Sequence, residues 1–217
     1  MMTLFCRHSV VLVSLVTATA CSRHASGQPD PQDPIASIGV SELPIASLAG
    51  GDALLFPVGS IVFGEGVSEL ALRRGDLLDR ATAVLDSILV RDARAVTWHD
   101  QEAIRRALRR APGLGTVDPT RLPTAFLLAR KVEVVPDPLW SSLRALAALT
   151  GARMAVIPVA VKLDGREGAV GASYVIAIVD ARLGQMAWRG RVVGPSSATA
   201  EAALLAAAAA AVPSGIR

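Results

Sequence analysis

Tyr174-Val-Ile-Ala-Ile-Val179 carries a large or apolar side chain at every position, the pattern of a strand covered on both faces of a sheet. Asp180-Ala-Arg-Leu-Gly184 follows with turn chemistry, an Asp that bonds its own backbone and a Gly that takes a positive φ. The chain then returns as Gln185-Met-Ala-Trp-Arg-Gly-Arg-Val-Val193, in which Met186, Trp188 and Val192 alternate with Gln185, Arg189 and Arg191. That alternation predicts a second strand with one face inward and the other toward water. A hairpin with a central first strand is the expectation.

Working outward, Met154 to Leu163 reads as the preceding strand, with Pro158 forced to an edge or a bulge because it cannot donate to a ladder. Asp164-Gly-Arg-Glu-Gly168 turns it into the Tyr174 strand, so the last third of the chain is expected to be an antiparallel meander. Ala53-Leu-Leu-Phe-Pro-Val58 reads as a first strand, followed by a loop containing Gly59, Gly64 and Gly66. Leu77, Leu78, Ala81, Val84, Leu85, Ile88 and Leu89 recur at helical spacing and predict an amphipathic helix capped by Asp76 and running to about Val90. Ala93 to Trp98 is a further strand, and Asp100 caps a thin basic helix to about Ala111. Residues 112 to 138 are dense in Pro and Gly and form a long excursion. Asp137-Pro138 starts a helix, with Pro at its first position, that Gly151 stops. Ser196 or Ser197 is expected to cap a final alanine-rich helix, 198 to 212. Pro34 to Gly51 reads as irregular structure or a short strand. Together these elements make one α/β domain, 35–217, in two or three layers, with a mixed sheet, a C-terminal antiparallel meander and helices packed on the sheet.

The wording of the hairpin, Val-Asp-Ala-Arg-Leu-Gly-Gln-Met-Ala-Trp after a buried strand, and the strand Gly-Ala-Arg-Met-Ala-Val-Ile-Pro-Val before it, resemble the α/β domain shared by the CsgG, TolB N-terminal and LpoB-like bacterial envelope proteins. Ala53-Leu-Leu-Phe-Pro also resembles the opening strand of that family, with Phe and Pro exchanged, and Pro158 departs from the small residue usual there. The resemblance implies a non-catalytic domain that docks on or scaffolds another envelope component. A CsgG-like secretion-channel subunit is the alternative it raises. A pore of that kind needs membrane strands of about 9 to 11 alternating residues, and neither 59–74 nor 112–136 shows that alternation.

The N-terminus carries Arg7 and His8, then the apolar run Val10 to Val16, then Thr-Ala-Thr-Ala-Cys21. That order is the layout of a secretory signal, too short to span a bilayer. Cysteine directly after the small residues resembles a bacterial lipobox, with Ala18 where Leu or Val is usual, and makes residues 1–20 a lipoprotein-type signal and Cys21 the expected site of lipid attachment (palmitate). An ordinary cleaved signal with an incidental cysteine is the competing reading. Residues 21–34 are polar and Pro-containing and read as a tether. Ser22 after the cysteine implies, by the same resemblance, an outer-membrane lipoprotein facing the periplasm. The partners expected are therefore the membrane, through the lipid, and an envelope protein.

Of 217 residues, 52% are hydrophobic and 19% charged, which favours one packed domain plus a tail, and a net charge of only +3 argues against nucleic acid held by bulk charge. Both cysteines, Cys6 and Cys21, precede the domain, so disulfides, thiolate zinc sites and a cysteine nucleophile have no residues to use there. His99-Asp100 invites a general-base reading with Ser60 or Ser173 as nucleophile, a hydrolase as the remote alternative, but Asp100 has a simpler role as a helix cap. Gly64-Glu-Gly66 lacks the third glycine of a dinucleotide loop and has Glu69 in its place. Arg105, Arg106, Arg109 and Arg110, with Arg121, Arg130 and Lys131, form either a basic patch or a solvated helix face in which Glu102 supports Arg106. No cofactor, metal, nucleic acid or small-molecule substrate is expected, and Trp98, Trp140 and Trp188 are expected in or half in the core.

Overall fold

The computed structural model describes residues 33–111, 113, 117–129, 131–166 and 168–212. The segment expected to be a signal (1–20), Cys21, nearly all of the stretch read as a tether and Arg130 lie outside those residues.

Six strands form one mixed sheet: β1 (Asp52–Leu55), β2 (Ile61–Phe63), β3 (Thr97–His99), β4 (Met154–Arg166), β5 (Ala169–Asp180) and β6 (Gln185–Val193). The order across the sheet is β3-β1-β4-β5-β6, with β2 continuing beside β4 beyond the end of β1. The pairs β1–β3, β1–β4 and β2–β4 are parallel. The pairs β4–β5 and β5–β6 are antiparallel and form the expected meander. Among the described residues four α-helices accompany them: α1 (Arg74–Asp92), α2 (Gln101–Arg109), α3 (Leu139–Thr150) and, after the last strand, α4 (Ala200–Ala209).

β5 explains why the architecture has three layers. Tyr174, Ile176 and Ile178 face one core, shared with the buried stripe of α1 and with α4, while Val175, Ala177 and Val179 face a second core under α3, Ile104 of α2 and Leu127. Apolar side chains alternating to both sides of a strand demand cover on both sides. The alanine surface of α4 lets it lie very close to the sheet: a Cβ added at Gly194 would stand 2.3 Å from the Ala207 nitrogen.

Several expectations need correcting. The segment read as a glycine loop contains β2, a strand too short for any periodicity to reveal, held by its ladder to Val161–Leu163. Gly66, at φ +70, closes against Gly165, and Gly165 donates its N–H to the Glu65 oxygen at 2.7 Å, so these glycines join backbones rather than cradle a phosphate. Met186 and Trp188 do not share a face, because the register slips between Ile178 and Val179 and Ala187 is the extra residue of a bulge. Met186 therefore joins the second core and Trp188 and Val192 the first. Nor does the opposite face of β6 simply meet water: Arg189 donates to the Leu127 oxygen at 2.8 Å and to that of Ala129.

Helix starts also shift. Asp76 lies in the first turn of α1, which grows directly out of a 3-10 turn, Ser68–Arg73, with no side-chain cap. Pro138 occupies the N-cap of α3, not its first position, and Asp137 accepts from the Ser141 N–H at 3.1 Å. Thr199, not Ser196 or Ser197, caps α4 by accepting from the Ala202 N–H at 3.2 Å, since Ser197 is drawn into a bridge with Val170. Asp100 caps α2 as expected, accepting from Ala103 N–H at 2.8 Å.

Of the two places open to Pro158, the structure takes the bulge: β4 is interior, and its register with β5 shifts between Pro158 and Ala160. Its carbonyl accepts from Gly59 N–H at 2.9 Å, so its missing N–H points to the side where the chain passes irregularly from β1 to β2. At the root of the domain Lys162, largely buried, reaches Asp33 at 2.7 Å and Asp164 at 3.0 Å. Asp33 also accepts from the N–H groups of Ile35 and Ala36. This tail end of the stretch read as tether is thus bound to the sheet.

Candidate functional site: the groove between the first two helices

A groove of about 590 Å³ opens between α1, the β1–β2 connection and the start of α2. Its α1 wall is Leu78, Asp79, Thr82, Ala83 and Asp86, a line at three- and four-residue spacing beside the apolar stripe. Pro57, Val58 and Gly59 make the floor, and Thr82 ties floor to wall by accepting from Val58 N–H at 3.1 Å while donating to the Leu78 oxygen at 3.1 Å. Asp100 and Glu102 at the beginning of α2 complete the far side, with Arg105.

Asp86 is the feature that sets this groove apart. Its Oδ1 is buried and has no hydrogen-bond partner. Burial, and then the neighbouring charge of Asp100, push its carboxyl up to about 7. The side chain sits against the first core, where Tyr174 donates its hydroxyl to the Ala81 oxygen at 3.1 Å. Burial, with the Asp86 charge second, holds that phenol above its ordinary range. A carboxyl in this state offers a weakly held negative charge that a cation from outside would stabilise. The groove is otherwise mixed in character, with apolar floor and acidic rim.

His99 lies elsewhere. It pairs with Leu54 in the parallel ladder, and its Nε2 stands 3.0 Å from Asp52 Oδ1 at the sheet edge. Ser173 is buried opposite Lys162 of β4, whereas Leu54, and with it His99, aligns with Ala155. Seven residues along a strand separate those positions by about 23 Å. Ser60 donates to the Val159 oxygen at 3.3 Å. The structure therefore does not assemble His99 with either serine, and Asp100 is committed to its cap. Among the described residues no group of three or more His, Cys, Asp and Glu side chains is placed to hold a metal ion. No described helix is long and apolar enough to cross a membrane.

The basic residues of α2 behave mainly as a solvated face. Arg106 stands 3.5 Å from Glu102, as the spacing predicts, Arg105 donates to Gln101 at 3.2 Å, and Arg121 stands 3.7 Å from Asp118. Trp98, Trp140 and Trp188 are half-buried. The apolar stripe of α1 does not point to Asp86; the signal in the sequence is the polar line Asp79, Thr82 and Asp86 beside that stripe.

No family model matches this chain, and no curated protein matches it. Among solved structures it is similar to the LpoB C-terminal domain from Salmonella enterica, with a TM-score of 0.39, 15% identity, and 67% of this chain and 83% of that chain covered. The LpoB C-terminal domain from Escherichia coli gives a TM-score of 0.39 and 15% identity over 68% of this chain and 89% of that one. The PelC dodecamer from Paraburkholderia phytofirmans gives a TM-score of 0.35 and 12% identity over 79% of this chain and 90% of that one. The chain itself is a single α/β domain with a mixed sheet and helices packed on both faces.

Proposed function

We propose that this chain is a lipid-anchored protein of the bacterial cell envelope whose α/β domain docks, without catalysis, on another envelope component. The observation that carries the reading is the order of the N-terminal segment: Arg7, the apolar run Val10 to Val16, small residues, then Cys21 and a polar stretch leading to the domain. Acylation at Cys21 would supply membrane affinity, and more than one acyl chain makes anchoring effectively stable. Ser22 supports the outer membrane, with the domain in the periplasm. The α1–α2 groove supports docking over turnover, because its polar side chains are carboxylates, hydroxyls, the Gln101 amide and a guanidinium, and among the described residues none is a nucleophile held against a base.

The anchor is tested by feeding labelled palmitate to cells making the wild type or Cys21→Ala: label in the wild type alone supports it, and equal label or none refutes it. The docking surface is tested by photocrosslinking in cells from positions 79 and 102 on the groove rim and from position 205 on α4. A defined envelope protein crosslinked from the rim alone supports the groove. Crosslinks equal from all three positions refute it.

A further inference from the structure

A second surface lies at the C-terminal end of α3. Arg144, Ala147, Ala148 and Gly151, at the C-terminal end of α3, and Arg182, in the β5–β6 turn, line a cleft of about 360 Å³. Both arginines are exposed, and no carboxylate is among the lining residues. The Arg144 guanidinium lies 5.1 Å from the centroid of the Trp140 ring, which restricts its position before any ligand arrives. Arg182 donates only a long 3.5 Å bond to the Gly151 oxygen. Among the described residues neither reaches a carboxylate at ion-pair distance, although Arg144 lies near enough to Asp137 to help hold that carboxyl below its ordinary range, after the hydrogen bonds from Ser141. Asp180, the nearest acid in sequence to Arg182, is already occupied by Arg153 at 2.8 Å and by the N–H groups of Arg182 and Leu183.

Beside Arg182 in the same turn, Leu183 is 58% exposed, which adds an aliphatic side chain next to the cationic one. An arginine held beside a tryptophan is a pairing enriched in protein-binding hot spots, and a guanidinium fork recognises a carboxylate by geometry as well as by charge. A membrane surface is a poorer occupant, since attraction to anionic lipid takes clusters of about four to eight basic residues. The location fits too. Met154, three residues after Gly151 of the cleft, and Lys162, which holds Asp33, are eight residues apart on β4, about 26 Å, so the cleft is well separated from the root of the N-terminal segment.

We propose that the Arg144–Arg182 cleft receives an acidic, aliphatic-containing peptide segment of a protein partner, its carboxylates held by the two guanidinium groups and its apolar side chain on Ala147 and Ala148. This deepens the docking reading by naming the chemistry of a partner, but it rests on a surface separate from the α1–α2 groove and does not depend on Cys21.

The test exposes the full chain to an array of heptapeptides graded in charge and hydrophobicity, with the double variant Arg144→Gln/Arg182→Gln and, separately, Ala148→Glu. All three positions are exposed, so folding is retained and is checked by thermal melting. Bound peptides enriched in Asp or Glu with Leu or Val, losing at least about tenfold in affinity in both variants, support the proposal. Ala148→Glu acts by placing a carboxylate one turn from Arg144, where it fills the cleft from within. Absence of acidic enrichment, or enrichment that survives in the double variant, overturns it. Arginine-dependent binding to vesicles containing anionic phosphatidylglycerol, with no peptide preference, also overturns it in favour of a lipid headgroup. Loss of palmitate labelling with peptide binding intact would sink only the anchor.

Discussion

Asp86→Asn is expected to stabilise the protein at alkaline pH and to leave it nearly unchanged in acid. The carboxyl sits between α1 and the start of α2 with Oδ1 buried and unpartnered, and its pKa rises from an ordinary 3.8 to about 7. A carboxyl raised on folding binds its proton more tightly in the native state, so its contribution falls as pH climbs from about 4 to about 7 and stays low above that. At ~1.4 kcal/mol per pH unit, that window amounts to about 4 kcal/mol of native-state stability carried by the neutral form and lost on ionisation. The amide keeps the shape and abolishes the titration. Urea unfolding followed by tryptophan fluorescence at intervals from pH 4 to 9 would show wild type and variant converging near pH 4 and separating by up to about 4 kcal/mol near pH 8. Other carboxylates do not confuse the difference. Burial pushes Asp33 and Asp180 up, but hydrogen bonds from Lys162 and from Arg153, with backbone N–H groups, outweigh it and hold both below the usual range. Their stabilisation is present above the ordinary carboxylate pKa and is lost only as pH falls below it, equally in both proteins. Parallel wild-type and Asp86→Asn curves across pH 4 to 8 would refute the reasoning.

Lys162→Met should cost about 2 kcal/mol, between the values for surface and buried ion pairs, and should expose the segment around Asp33 and Ile35 to limited proteolysis; unchanged cleavage would mean that Lys162 does not hold the domain's root. Gly194→Ala drives a Cβ to within 2.5 Å of the Ala207 nitrogen and Cα, so about 1–3 kcal/mol should be lost, read as a lower urea midpoint, and a neutral outcome would show that α4 can move aside. Tyr174→Phe removes one buried hydrogen bond, to the Ala81 oxygen, and should cost about 1 kcal/mol by the same measurement. His99→Ala gives up only a partly exposed contact with Asp52 and should change the unfolding free energy by less than about 1 kcal/mol.

The elements that could be read in advance are those whose neighbours along the chain already state their environment. Tyr174 to Val179 is apolar on both faces and lies buried between two strands; Leu77 to Leu89 repeats at helical spacing and lies on the sheet; Asp100 and Gly151 mark the ends of their helices. Local pattern suffices there because the requirement is local: alternation, a stripe, a cap, a positive φ. Three residues of β2 make no period, and only their ladder with Val161–Leu163 defines them. The bulge at Ala187 is equally invisible along the chain, yet it sends Met186 and Trp188 to opposite cores. Thr199 caps α4 because Ser197 is claimed by Val170, 27 positions earlier.

The same division holds for the sites. The N-terminal order ending at Cys21 is legible without coordinates because its chemistry is linear. Asp86 and Asp100 become neighbours only when the turn through β3 brings two helices together, and Arg144 and Arg182, 38 residues apart, form one cleft only when the β5–β6 turn passes the end of α3. Sequence by itself determined a mixed α/β domain, because burial period and turn chemistry are properties of adjacent residues. Tertiary structure alone decided where charge is stranded and where it is open to a partner, because desolvation and pairing depend on which distant segments meet.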